Sequence, residues 1–184
     1  PLRYVVRILL VLIVLEAVAC PAERHLERKG IVYRPHAVAD YGRYLRERDP
    51  LLGWPSPASF GKGGRDVLGS RLCPAFPVPS RDAPISLYGD SFTWGSEVSH
   101  DAAWGNLLAK RLGCRVNNFG VGAYGTDQAY LRFRDNEADL SKIVILGFMS
   151  ENIARNVTRF FDLLYPWNGH GFKPRFLLDA NTRL

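Results

Sequence analysis

The sequence has little cysteine and no long uninterrupted apolar run. Its 184 residues include three cysteines, too few for a miniature domain held together by disulfides. No 18 consecutive apolar residues occur, which excludes a protein with several membrane spans. Apolar residues make up 47% and charged residues 23% of the chain, so a wholly disordered chain, a collagen and a coiled coil are excluded as well. The length suits one domain with a sizeable core.

The chain also lacks the clustered cations of a nucleic-acid-binding protein. It has 24 Lys and Arg against 18 Asp and Glu, a formal net charge of +6. The cations are scattered singly or in pairs, such as Arg28-Lys29 and Lys110-Arg111, and no basic run is interleaved with aromatics. Because nucleic-acid sites need cations grouped on one face, we expect no nucleic-acid partner.

The N-terminal segment has the pattern of an export signal. Arg3 and Arg7 precede eight consecutive apolar residues, and Ala17-Val18-Ala19 follows as an A-x-A site. A positive flank, a short apolar core and A-x-A are typical of secretory signal peptides, so residues 1–19 are predicted to be a signal. We therefore expect an exported protein, periplasmic or extracellular, whose N-terminal segment contacts the membrane.

Several alternatives to a cleaved signal stay open. Residues 4–22 would also serve as an uncleaved signal anchor, and a buried helix is a further interpretation. Cys20 directly follows the A-x-A site, which fits a lipoprotein whose thiol carries a lipid anchor. If Cys20 is removed or lipidated, Cys73 and Cys114 remain as an even pair. In an oxidising compartment they either bridge or stay as buried free thiols, and we slightly favour the thiols.

Residues 20–84 are predicted to form an arm that is first charged and then rich in proline and glycine. Seven of the twelve prolines and five glycines lie between residues 50 and 84. Because proline removes a backbone donor and fixes φ, this part is expected to be extended and loop-rich. A helix is predicted earlier in the arm, over residues 38–48.

After residue 84, strand and helix patterns alternate. Strands are predicted over 85–88, 115–119 and 142–148, and helices over 102–112 and 127–134. The third strand is apolar almost throughout, which indicates burial on both faces, as in a parallel sheet. This order predicts an α/β fold with a doubly wound parallel sheet, a flavodoxin-like three-layer α/β/α architecture.

Both predicted helices carry end signals and an apolar stripe. Asp101 and Thr126 are placed to cap their N-termini, and Gly113 is placed to end the first helix. The stripes predicted to face the core are Trp104, Leu107, Leu108 and Leu112 in the first helix, and Tyr130 and Phe133 in the second.

Candidate site residues follow all three strands, where the chemistry of a doubly wound sheet is found. Gly89 allows a tight turn that lifts the hydroxyl of Ser91 clear of the sheet. Gly120 follows the second strand, and Asn152, which can donate an amide hydrogen bond to an oxyanion, follows the third. The alternatives are purely structural roles, since Asp90 and Ser91 also suit simple turns and asparagine also caps helices.

Residues 120–125 form a G-x-G-x-x-G, which is typical of dinucleotide-binding loops. Such a loop needs an acid at the end of the next strand, whereas Asp139 comes too early and Glu151 too late. A lipase-type G-x-S-x-G elbow is also disfavoured, because Thr93 stands in place of the last glycine. Nucleotide binding is therefore kept only as a lesser alternative.

The three strand-end blocks together resemble the SGNH/GDSL hydrolases of exported bacterial type, most clearly from residue 85 to 156. The first block appears as residues 88–95, Y-G-D-S-F-T-W-G, while Gly120 matches the second-block glycine and Asn152 the third-block asparagine. The family usually has glycine before that asparagine and aspartate after it, where Glu151 and Ile153 stand here. This departure puts the loop and the substrate pocket in question.

The resemblance implies a serine ester hydrolase that works through an acyl-enzyme on an O-acyl ester, acetyl esters included. Ser91 would be the nucleophile, with Gly89 and Asp90 as its supporting turn. Gly120 and Asn152 would complete the oxyanion hole. No cofactor and no metal are implied, and the substrate would be an acyl ester or an acylated carbohydrate. The alternatives are an O-acetyltransferase for envelope polysaccharide and a non-catalytic envelope or carbohydrate-binding domain of the same fold.

A serine hydroxyl needs a general base, and the family's D-x-x-H block is absent from these 184 residues. The histidines present are His25, His36, His100 and His170. His170 lies in a predicted loop and is disfavoured as the base, because no pattern brings it within reach of Ser91. We therefore predict that residues 85–184 are the front part of the hydrolase domain, with its base beyond residue 184.

Overall fold

The computed structural model describes the following residues: 2–29, 41–53, 55–58, 63–160, 171–174 and 176. The chain divides into two compact units, residues 1–36 and 37–184. The first unit contains a long helix, α1 (Leu2–Arg28). Its segment Arg3–Leu26 has 24 residues and a mean hydropathy of 2.4, which is long and apolar enough to cross a membrane. None of that segment is buried, and a signal sequence and an anchor both fit this helix.

The second unit is built around a three-stranded sheet. Its strands are β1 (Ile85–Tyr88), β2 (Val116–Asn118) and β3 (Ile143–Leu146). The order is β2-β1-β3 and both pairings are parallel, so the predicted α/β fold with a parallel sheet is confirmed. All four residues of the central strand β1 are buried, which places the core around this strand.

Helices connect and flank these strands. They are α2 (Tyr41–Glu47), α3 (Ser91–Trp94), α4 (Trp104–Leu112), α5 (Thr126–Arg134) and α6 (Glu151–Val157). Helix α4 links β1 to β2 and α5 links β2 to β3, as crossover connections between parallel strands require. Gly113 ends α4 with a φ of 68°, as predicted. The predicted caps are wrong, because α4 starts after Ala103 and α5 after Gly125, neither with a side-chain cap.

Of the apolar stripes predicted for the helices, only Leu108 packs, partly buried, against the core cluster, and the other members are exposed. Leu107 is 50% exposed and Phe133 40% exposed. The residues that α4 buries are small or polar, namely Gly105, Asn106 and Ala109. Gly105 lies so near the sheet that a Cβ on it would stand 2.9 Å from the Leu87 side chain. Only small residues fit where α4 packs closely against the sheet. The large apolar residues of α4 therefore lie on the sides of the helix, where they stay partly exposed.

Strand β3 is also more exposed than predicted. Its residues Ile143, Val144 and Leu146 are 54%, 38% and 44% exposed, so the described part of the chain does not bury β3 on both faces. In the described part of the chain β3 pairs only with β1 and forms an edge of the sheet. An apolar run indicates a strand, but the position of that strand in the sheet depends on what lies beside it.

The described residues between 50 and 84 form turns and loops that contact the outer side of β2. The Arg71 N–H donates to the Asn118 carbonyl at 2.7 Å, and the Asn118 N–H donates to Ser70 Oγ at 2.9 Å. Arg115 forms a buried ion pair with Asp66. These bonds supply partners for the polar groups along that side of the strand.

A compact cluster beneath the sheet includes Leu87, Val116 and Cys73. The Cys73 and Cys114 thiols are both free in the structure, but only Cys73 is buried as the free-thiol interpretation expected, and Cys114 is partly exposed. Cys73 is buried and its thiol contacts Asn106 Oδ1 at 3.4 Å. It therefore behaves as a small core residue.

Candidate active site

Ser91 is the first residue of α3, directly beyond the carboxyl end of β1. The buried Asp90 carboxylate accepts hydrogen bonds from the N–H groups of Phe92 at 2.9 Å and Thr93 at 3.3 Å. This capping holds the turn in one conformation. Ser91 itself is partly exposed and lines a cleft. The structure thus brings a hydroxyl to the edge of a cleft on a fixed backbone.

The turn at Ser91 is crowded by Thr93, whose importance the sequence pattern did not indicate. Gly89 has a φ of 156°, and a Cβ there would overlap Thr93 Oγ1. A Cβ on Gly147, just beyond β3, would overlap the same atom. The Thr93 side chain therefore lies between the ends of two neighbouring strands, and glycine is required on both sides of it.

Gly120 lies beyond the end of β2, next to the Ser91 turn. The N–H of the following residue, Val121, donates to the Gly89 carbonyl at 3.0 Å. A Cβ on Gly120 would come within 2.6 Å of the Trp94 nitrogen, so only glycine permits this approach. The Gly120 N–H itself donates to Asn118 Oδ1 at 3.0 Å. It already has an acceptor within the protein.

Asn152 is fully buried in the first turn of α6, beyond the end of β3. Its amide nitrogen donates to the Tyr124 carbonyl at 3.3 Å, and its amide oxygen accepts from the Met149 N–H at 3.2 Å. Ser150, not Asn152, occupies the N-cap position, so the simple capping alternative does not hold. The long 3.3 Å contact is the weaker of the two bonds.

A buried charge network joins these strand ends, and the sequence pattern did not predict it. Arg155 Nη1 lies 3.5 Å from Asp90 Oδ2 and donates to the Tyr124 carbonyl at 3.2 Å. Lys173 donates to the Asp127 carboxylate and, at 2.7 Å, to the Arg155 carbonyl. Burial lowers the pKa of Lys173, and its bond to Asp127 opposes that shift. Asp90 therefore supports the turn through a cap on one side and a cation on the other.

The histidines give Ser91 no hydrogen-bonded base in the described part of the chain. His100 Nδ1 accepts a hydrogen bond from Arg71 Nε at 3.1 Å. Burial, followed by the nearby Arg71 charge, lowers the His100 pKa. His25 belongs to α1 in the other unit, whereas His36 and His170 lie outside the described residues. The general base therefore remains a prediction.

The predicted G-x-G-x-x-G loop is packed tightly against neighbouring parts of the protein. Val121 and Tyr124 have no exposed surface and pack into a second core cluster with Leu52. A Cβ on Gly125 would lie 2.6 Å from Asn156 Oδ1. A dinucleotide loop must leave its backbone N–H groups facing a phosphate, so this packing weighs against nucleotide binding.

Two clefts meet at the Ser91 turn. The larger, of about 390 Å³, includes Ser91 in its lining. The smaller, of about 200 Å³, includes Asp90 but not Ser91. Phe92 and Trp104 belong to both linings and separate the two spaces. A further cavity of about 440 Å³, lined in part by Tyr130 and Leu146, contains none of these turn residues.

Comparison with known proteins gives partial structural likeness only. No protein-family model and no curated protein matches the chain. One similar solved structure is a G-D-S-L family lipolytic protein from Desulfitobacterium hafniense, at 21% identity and a TM-score of 0.33. It aligns over 45% of this chain and 42% of that one. Another is AlinE4, an SGNH-hydrolase family esterase, at 19% identity and a TM-score of 0.35, over 45% and 48%. The chain thus spans less than half the length of either protein.

Proposed function

We propose that the second unit carries the nucleophile and oxyanion-binding part of a serine ester hydrolase. The observation that carries this proposal is the position of Ser91. It follows the central strand of a parallel sheet, on a turn capped by buried Asp90, and it lines the larger cleft. The carboxyl ends of parallel strands are where such sheets bind ligands. The resemblance of residues 88–95 to the first SGNH/GDSL block supports the same role.

In the proposed reaction Ser91 Oγ attacks the carbonyl carbon of an ester and forms a tetrahedral oxyanion. The oxyanion collapses, the alcohol leaves with a proton, and water then hydrolyses the acyl-enzyme to free the acid. A general base must take the hydroxyl proton in the first step. We propose that this base comes from outside the described residues, with the family's D-x-x-H as its expected form.

The backbone N–H groups of Ser91 and Gly120 and the Asn152 amide are the proposed oxyanion donors. Asn118 Oδ1 and the Tyr124 carbonyl now accept from Gly120 and Asn152. The substrate oxygen would have to replace these acceptors. Catalytic hydrogen bonds are often incomplete without substrate and tighten in the bound complex, and losing one oxyanion donor costs about 10²–10³ in rate.

A second candidate is a non-catalytic carbohydrate- or envelope-binding domain of the same fold. The observation that favours it is the occupied state of the two oxyanion donors, Gly120 and Asn152. An O-acetyltransferase would use the same Ser91 chemistry and differ in the acceptor, a sugar hydroxyl in place of water. Product analysis with and without an added polysaccharide separates the transferase from the hydrolase.

We also propose that α1 directs the chain to the membrane and that the second unit lies outside the cytoplasm. The supporting observations are the apolar length of α1 and the position of Arg3 and Arg7 at its start, since cations favour the cytoplasmic side. Alkaline phosphatase fused after residue 29 should be active. An inactive fusion would refute the orientation.

In a chain extended to include the expected D-x-x-H block, hydrolysis of p-nitrophenyl acetate and labelling by a fluorophosphonate test the role of Ser91. Ser91→Ala should abolish both signals. Ser80→Ala is the matched control, because Ser80 is a partly exposed serine in the arm and belongs to neither cleft lining. Turnover that survives in Ser91→Ala would remove Ser91 from the mechanism. A wild-type chain that carries the expected D-x-x-H block and shows neither label nor turnover would favour the non-catalytic candidate.

A further inference from the structure

The lining of the larger cleft is mostly apolar and open to solvent. We call it the acyl cleft and define it by Ser91, Phe92, Glu97, Val98, Ala102 and Trp104. Phe92 is 72% exposed, Val98 45% and Trp104 38%. Three large apolar side chains that share one concave surface indicate a binding site, whereas scattered exposed residues need no explanation.

Charge in the acyl cleft is limited to one side chain. Within its described lining Glu97 is the sole ionisable group, and no cation is present. A carboxylate or phosphate on the bound group would meet repulsion from Glu97, and the nearby cation, Arg71, lies behind the lining with its guanidinium already bonded to backbone carbonyls. The lining therefore suits a neutral apolar group that ends at Ser91.

The walls of the acyl cleft are held by hydrogen bonds that do not depend on a ligand. The buried Arg71 guanidinium donates to the carbonyls of Gly95 and Val98, each at 2.7 Å. The Trp104 ring nitrogen donates to the carbonyls of Phe92 at 3.2 Å and Thr93 at 3.0 Å. A site formed before binding loses less entropy when a ligand enters.

The volume of the acyl cleft decides which apolar group fits. An apolar cavity of about 150 Å³ holds benzene, a six-carbon ligand. A cleft of about 390 Å³ that is open on one side therefore has room for a longer chain, and a two-carbon acetyl group would leave most of Phe92, Val98 and Trp104 in water. Uncovered apolar surface contributes nothing to binding.

We infer that the acyl cleft binds a medium-chain acyl group of about six to eight carbons, with its carbonyl at Ser91 and its chain between Phe92, Val98 and Trp104. This inference rests on the proposed function, because it names the acyl class that Ser91 accepts. It narrows the predicted O-acyl ester, which included acetyl esters, to a longer acyl group and leaves the alcohol part of the ester unspecified.

Binding of 1-octanol and 1-butanol to the full chain in detergent tests the acyl cleft without any turnover. Each buried methylene should strengthen binding about fourfold, so 1-octanol should reach half-saturation at a concentration lower by on the order of 10². Tryptophan emission reports the binding, since Trp104 lines the cleft and α1 has no tryptophan. Trp104→Phe should remove the signal and so assign it.

Val98→Asp should weaken 1-octanol binding at least tenfold, because it brings a second carboxylate beside Glu97. Val67→Asp is the matched control, since Val67 is 90% exposed and lies outside the cleft lining, and it should bind like wild type. Ala102→Phe, which adds a phenyl ring to the cleft lining, is the second variant and should also weaken 1-octanol binding. Equal affinity for both alcohols, or equal effects of Val98→Asp and Val67→Asp, would overturn the inference.

Rates of ester hydrolysis distinguish a wrong acyl-cleft inference from a wrong hydrolase proposal. The ratio of kcat/KM for p-nitrophenyl octanoate over acetate should be on the order of 10³, since octanoate has six more methylenes than acetate. A ratio near one, with turnover that Ser91→Ala abolishes, refutes the acyl cleft and keeps the hydrolase. Chain-length-dependent binding that Val98→Asp abolishes, in a protein that carries the D-x-x-H block but shows no Ser91-dependent turnover, keeps the cleft and refutes the hydrolase.

Discussion

Replacing either of two buried tyrosines by phenylalanine should change the stability of the second unit in opposite directions. Tyr88 and Tyr124 both have no exposed surface. The Tyr88 hydroxyl donates to Asp139 Oδ2 at 2.8 Å and accepts from Asn136 Nδ2 at 2.9 Å. Among the described residues the Tyr124 hydroxyl has no hydrogen-bond partner. The same chemical change therefore removes two bonds in one case and none in the other.

The magnitudes follow from these contacts. Tyr88→Phe loses a bond to a carboxylate, and bonds to charged groups contribute about 1.5–3 kcal/mol. The Phe119 ring, whose centroid lies 5.1 Å from that of Tyr88, would still stack on phenylalanine. We expect a net loss of about 2 kcal/mol. The Tyr124 hydroxyl gives up its hydrogen bonds to water on folding and gains no partner among the described residues. Tyr124→Phe should therefore raise the free energy of unfolding by about 1 kcal/mol.

Thermal unfolding of the full chain in detergent, followed by circular dichroism, measures both changes. For 150–250 residues, about 1 kcal/mol shifts Tm by about 2–4 °C. Tm should thus fall by about 4–8 °C in Tyr88→Phe and rise by about 2–4 °C in Tyr124→Phe. Tyr130→Phe is the control, because Tyr130 is 45% exposed, and its Tm should not move. A fall in both buried variants would refute the hydrogen-bond explanation.

Other substitutions test the buried charge pair, the glycine approach and the pH dependence. Lys173→Met should cost about 3–5 kcal/mol in urea unfolding, because it leaves the buried Asp127 carboxylate unpaired, and adding Asp127→Leu should recover most of that loss. Gly147→Ala should cost about 1–3 kcal/mol by overlap with Thr93 Oγ1, and Thr93→Ala in the same chain should relieve it. Burial, followed by the bond to Asp139, raises the pKa of the Tyr88 hydroxyl above its ordinary value of 10.0. The folded protein then keeps a proton that the unfolded chain releases, so Tm should fall as pH rises above about 10, and less steeply in Tyr88→Phe.

Each of these explanations has an outcome that contradicts it. An equal loss in Lys173→Met and in the double variant would show that an unpaired carboxylate is not the cause. The overlap explanation fails if Thr93→Ala leaves the cost of Gly147→Ala unchanged. A decline with pH that is the same in wild type and Tyr88→Phe would remove Tyr88 as its source.

Local patterns predicted the elements well and their burial poorly. The predicted strand over residues 85–88 has the observed bounds, and Gly113 ends α4 as expected. These features depend on a few neighbouring residues. The exposed stripe that includes Leu107 and the exposed edge strand β3 were not predicted, because burial depends on which elements lie alongside.

For the candidate site too, the sequence predicted the positions of residues along the chain but not their contacts. The alternation of strands and helices was enough to predict that Ser91, Gly120 and Asn152 follow successive strands of one parallel sheet. It did not reveal that the Gly120 N–H and the Asn152 amide already bond to acceptors within the protein. Those acceptors come from side-chain placement and loop geometry, which no residue spacing specifies.

The sequence by itself determined the apolar N-terminal helix, the α/β class and the turn that presents Ser91, since hydropathy, periodicity and turn chemistry are properties of short segments. Tertiary structure alone decided the rest of the site. Arg155 reaches Asp90 across 65 residues of chain and Lys173 reaches Asp127 across 46. The shape of the acyl cleft likewise depends on Arg71, which binds carbonyls more than twenty residues away. Such contacts form only when the folded backbone brings distant segments together, because burying these charges without their partners would cost more than folding returns.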